Sequence, residues 1–84
     1  MATVNIEIVD DDWTQLAADT DEKVLAQKSG SSDWYVALTD TNTKPTLDYP
    51  HLLRGNEQVS RLVFGDGYVW AKNEKGSAQV AVTK

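Results

Sequence analysis

Thr3-Val4-Asn5-Ile6-Glu7-Ile8-Val9 alternates polar and apolar side chains from Thr3 to Ile8. Val4, Ile6 and Ile8 point one way while Thr3, Asn5 and Glu7 point the other, the period of two that a half-buried strand requires. Asp10-Asp11-Asp12 stops the pattern, because short acidic side chains favour turns and caps over ladders. A chain that opens on such a strand needs further strands to bury the apolar face.

Those strands follow. Glu22 to Lys28 reads as one, the Ser29-Gly30-Ser31-Ser32 stretch as a flexible turn, and Trp34 to Thr39 as the next. Their spacing predicts a hairpin. Residues 40–50 form a long polar connection that Pro45 and Pro50 keep out of a ladder, and a Greek-key crossover is one use for it. His51 to Arg54 is a short strand and Gln58 to Phe64 another, with Val59, Arg61 and Val63 competing for the inward parity. Gly65-Asp66-Gly67 is a tight loop, Tyr68 to Lys72 a strand, and Ser77 to Thr83 the last, with Ala78, Val80 and Val82 facing inward. The final three strands read as a meander. Between the first two strands, Trp13, Leu16 and Ala17 match the i, i+3, i+4 spacing of a helical turn, with Asp12 placed to cap it and Gln15 at the reciprocal position. The expected fold is therefore all-β: one domain over residues 1–84, an antiparallel sandwich or small barrel of six to seven strands with one short helical turn. Its expected core is Val4, Ile6, Ile8, Leu16, Val36, Leu38, Leu62, Phe64, Val80 and Val82.

Composition narrows the function. The net charge of −5 and pI near 4.5 leave no clustered cations for nucleic acid, and the eight Lys and Arg residues are spread singly. Residues 1–48 carry ten acids against three bases, whereas residues 49–84 carry three acids against five bases, an asymmetry that can guide docking or simply be solvated surface. With no cysteine, disulfides and thiolate metal sites are excluded. No apolar run approaches membrane-spanning length, and the start lacks the basic and apolar regions of a signal peptide.

Candidate chemistry is sparse. His51 is the sole histidine and has no nucleophile elbow or second ligand near it in sequence. Asp10–Asp12, Asp19-x-Asp21-Glu22 and Asp40-x-Asn42 are carboxylate-rich turns without the Gly and closing Glu of a calcium loop. Catalytic, cofactor-binding and metal-binding residues are therefore expected to be none. The aromatic residues are the better lead. Trp34 and Tyr35 point to opposite faces of one strand, and Tyr68 and Trp70 share a face of another; these four are the candidate contacts for a protein partner or a sugar ring, with core filling as the competing role.

The order Asp33-Trp34-Tyr35-Val36-Ala37-Leu38-Thr39, Lys44-Pro45-Thr46, Leu52-Leu53-Arg54-Gly55-Asn56-Glu57, Tyr68-Val69-Trp70-Ala71-Lys72 and Gly76-Ser77-Ala78-Gln79-Val80-Ala81-Val82 resembles small virion-associated β-sandwich proteins of tailed bacteriophages. In those, a strand with a Trp-Ala-Lys-like step feeds a Gly-containing hairpin into a Val/Ala-rich final strand. The resemblance covers residues 22–84 and implies a non-enzymatic head, tail or fibre component, incorporated into the virion after assembly in the host cytoplasm. It also implies an oligomer, with trimers common, that contacts other virion proteins; from charge and hydropathy neither a nucleic-acid nor a membrane partner is expected. The alternative is a carbohydrate- or host-surface-binding module using exposed aromatics. Strand 34–39 supports self-association independently: it is apolar on both faces, and a two-layer sandwich buries only one. The other needs a cover, and a neighbouring subunit is favoured over the polar 40–50 loop or the short Trp13 turn.

Overall fold

The computed structural model of the chain describes residues 2–46, 51–61 and 65–84. Eight strands form: β1 Thr3–Ile8, β2 Thr14–Ala17, β3 Leu25–Lys28, β4 Trp34–Thr39, β5 His51–Leu53, β6 Gln58–Ser60, β7 Tyr68–Asn73 and β8 Ala78–Thr83. They build two antiparallel four-stranded sheets, in the orders β1-β8-β3-β6 and β2-β7-β4-β5. We call these sheets A and B.

Consecutive strands almost always change sheet; β4 and β5 alone stay together, joined by the long 40–50 connection. β1 pairs with β8, β2 with β7, β3 with β6 and β4 with β5, as though one long hairpin had been wound into two layers. That winding is the jelly roll, two Greek keys in a sandwich. It overturns two expectations. Strands β3 and β4 are not a hairpin, and β6, β7 and β8 are not a meander, because each connection passes from one sheet to the other. Short Gly-containing loops serve either geometry, so their length did not distinguish them.

The expected helical turn is β2. Between Gln15 and Ala17 its register against β7 shifts, and the bulge turns both Leu16 and Ala17 inward. Two adjacent buried residues mimic helical spacing, which is why the pattern misled. At the other misread strand, β6 ends at Ser60: Val59 takes the inward parity and Arg61 is helical, its carbonyl accepting the Gly65 N–H at 2.9 Å.

The core between the sheets holds Ile8, Val36, Val80 and Val82, as their parity requires, and the expected Leu16, brought in by the bulge, together with Trp34, Val69, Ala71, Val24, Ala26 and Val59. Leu38 is half-buried, and Leu62 and Phe64 lie outside the described residues. Val4 is the exception: its parity is inward, yet it is 48% exposed. It sits toward the end of edge strand β1, where the inner face of sheet A is left uncovered.

Candidate interaction surface

The four candidate contact residues all lie on β4 and β7, the central strands of sheet B, but the two faces separate them. Trp34 stands opposite Asn73 on the inner face and is fully buried in the core, so it is no surface contact. Its indole N–H has no hydrogen-bond partner among the described residues. Tyr35, Ala37 and Thr39 stand opposite Lys72, Trp70 and Tyr68 on the outer face. Here Trp70 is only 6% exposed and Ala37 is equally closed, although neither belongs to the core between the sheets.

Their cover is the chain itself. The segment after β4 leaves the lower end of sheet B, and its Asn42 accepts a hydrogen bond from Gln15 of β2 at 3.0 Å. Lys44 then reaches Asp12, just before β2 begins, at 2.8 Å. Because β7 lies between β4 and β2, a segment making both contacts must cross the outer side of β7. Trp70 is opposite Gln15 under that crossing, and its indole N–H donates to the Thr39 hydroxyl at 2.9 Å. Pro45 is buried within the same strap. The strap holds its own shape through threonines: Thr39 Oγ1 donates to the Thr41 carbonyl at 2.7 Å, and the Thr41 and Thr43 hydroxyls lie 2.9 Å apart. Beside it Trp13 is half-buried, with the Lys72 ammonium 4.8 Å from its ring centroid. Lys44, and then the Trp13 N–H, hydrogen-bond the Asp12 carboxylate and hold it below its ordinary value of 3.8.

Trp70 is therefore a buried residue and not an exposed contact. Tyr35 and Tyr68 remain half-buried on the outer face. They are separated by four strand positions, about 14 Å, with the Ala37–Trp70 pair between them. Two rings so far apart do not make one stacking platform.

The ends of the sandwich are held by polar side chains that sequence reasoning missed. At the lower end Arg61 donates to the carbonyls of Asp21 and Ala18, and to those of Gly65 and Gly67, at 2.7–2.9 Å. It closes the β2–β3 connection onto the loop before β7. Gly67 in that loop has φ +122, and a Cβ there would lie 3.1 Å from the Thr39 carbonyl, so the close approach needs glycine. Asp21 sits in the same corner. The Ala18 N–H, assisted by the Lys84 charge, holds its carboxyl below 3.8 against the opposing effect of burial. Burial and the Asp19 carboxylate push the Tyr68 phenol above its ordinary range. At the upper end Lys28 is 1% exposed and donates to the Ser29 carbonyl and the Ser32 hydroxyl. Ser32 passes the network to Asn73, whose amide caps the Lys75 and Gly76 carbonyls. The one signal available in sequence was Lys28 at an inward position of its strand.

His51 is exposed at the start of β5. Among the described residues no group of three His, Asp or Glu side chains converges on a metal-sized site. Among the described residues, the depressions at Asp21–Lys84 and along the strap lie open to solvent. No family model, no curated protein and no solved structure matches the chain.

Proposed function

We propose that the chain is a non-enzymatic assembly module, a structural component of a bacteriophage virion that contacts itself and other virion proteins. One observation carries the non-enzymatic part. Among the described residues the buried Lys28 and Asn73 and the half-buried Arg61 and Ser32 bond the protein's own loops and one another: Arg61 bonds carbonyls, Lys28 bonds its own turn and Ser32, Ser32 bonds Asn73, and Asn73 caps the next turn. An active site instead aims such groups into a cavity, as an acid–base pair or an activated nucleophile. What the fold offers a partner is sheet surface and strand edge. The virion setting rests on the resemblance carried by residues 33–39, 44–46, 52–57, 68–72 and 76–82. Aromatic-platform binding of sugars is the weaker reading, since Trp34 and Trp70 are buried and the two tyrosines stand apart.

Mass spectrometry of particles purified from the phage that encodes the chain tests this directly. The chain is expected in stoichiometric amount, co-sedimenting with the particles. Its presence in the infected-cell lysate but absence from the particles contradicts the proposal.

A further inference from the structure

Four strands lie at sheet edges: β1 and β6 in sheet A, β2 and β5 in sheet B. Exposed edges invite pairing, and proteins blunt them by shortness, bulges, lysine or proline. β5 and β6 are three residues each, and β2 carries the bulge. β1 has no such guard. It runs six residues in unbroken register with β8 and contains neither Lys nor Pro.

The hydrogen-bond phase shows what this edge presents. Ala2 and Lys84 exchange both backbone bonds, so Val4, Ile6 and Ile8 also bond toward β8. Thr3, Asn5 and Glu7 therefore aim their N–H and C=O groups at the open edge. No described residue bonds those groups. On the inner side of the same strand, Val4 is 48% exposed.

We propose that β1 pairs antiparallel with β1 of a second copy, in the register that places Asn5 opposite the partner's Asn5. This deepens the self-contact of the assembly reading and gives it two-fold symmetry in place of the expected trimer. The register is self-complementary in each respect that matters. Asn5–Asn5 and Thr3–Glu7 become the hydrogen-bonded pairs, using the free groups of both copies. Val4 meets the partner's Ile6 with inward parity conserved, which covers the apolar surface the sandwich leaves open. The two Glu7 carboxylates lie about 14 Å apart along the seam, beyond the ~8 Å screening length of physiological salt. Charge also favours this side of an acidic chain. The outer face of sheet A, made by Thr3, Asn5, Gln27, Gln79, Ala81, Thr83 and their neighbours, carries one formal charge, that of Glu7.

Sedimentation equilibrium of the intact chain at about 100 µM, where weak specific contacts form, should report twice the 9.3 kDa chain mass. Asn5→Pro removes an edge N–H without touching a bond to β8 and should return the monomer with its strand spectrum unchanged. Val4→Lys, which places a charge at an already exposed position, should do the same. A monomeric wild type overturns the proposal, and so does a dimer that persists in both variants. If the chain is monomeric alone yet present in purified particles, β1 pairing fails while the virion reading stands.

Discussion

The outward faces of the two sheets are finished in opposite ways. Sheet B puts Trp70, Ala37 and Tyr35 on its outer side and covers Trp70 and Ala37 with the 40–46 strap. Sheet A faces solvent mainly with hydroxyls and amides around a half-exposed Leu25, and leaves its edge strand β1 open. The difference teaches where a small sandwich without disulfides finds stability. It adds a third, partial layer to one sheet from its own chain, so the apolar outer face of strand 34–39 is not in itself a reason for a neighbouring subunit. The place where a neighbour fits is an edge of the other sheet.

The largest expected effect breaks the covered side. Trp70→Ala should cost about 3–5 kcal/mol, as for a core aromatic, against a total of roughly 4–12 kcal/mol for a chain of this length. Gln79→Ala, on the bare face of sheet A, should stay within about 0.5 kcal/mol. Urea denaturation of both variants checks the contrast, and equal costs would erase it. Next comes Thr39→Val, which leaves the Trp70 indole N–H buried without its acceptor. A loss of about 1–3 kcal/mol is expected, read as a lower denaturation midpoint at unchanged slope.

Acid should loosen the lower end. Asp21 has a folded-state value below 3.8, so its contribution is complete above that pH and is lost as pH falls through the lowered value. Asp21→Asn should flatten the fall in melting temperature below pH 4 while changing little of its course above. The smallest effect belongs to the Lys44–Asp12 pair, both partners of which are more than half exposed. Lys44→Ala should barely move the denaturation midpoint at low salt and leave it unchanged in high salt. EDTA should leave the melting temperature where it is, and a shift of many degrees would assign a cation to the Asp10–Asp12 or Asp19–Glu22 turns.

The class of the fold was legible in residues 3–8, where polar and apolar side chains alternate, and in 34–39 and 77–83, short runs rich in aromatic, β-branched or small apolar residues and bounded by turn residues. β2 was not, because a bulge removes the alternation that marks a strand. Nor was the assignment of strands to sheets, since a three- or four-residue loop with glycine closes a hairpin or arches between layers equally well. The contact surface was half legible. Alternation separated Trp34 from Tyr35 correctly, but whether an outward aromatic stays exposed depends on a strap some thirty residues away. Arg61 sat at a position of ambiguous parity, and only the corner formed by Ala18, Asp21, Gly65 and Gly67 reveals its use.

One measurement reads both sides of the comparison together: hydrogen exchange followed by nuclear magnetic resonance at two protein concentrations. The Trp70 indole proton, closed in by its own chain, should exchange slowly and at the same rate at both. The Asn5 amide should be protected at about 100 µM and lose that protection on dilution into the low micromolar range, where a weak dimer dissociates. Rapid exchange at Trp70 would show that the strap does not close sheet B, protection there that vanishes on dilution would show that another copy does, and either result would contradict the division of roles between the two sheets.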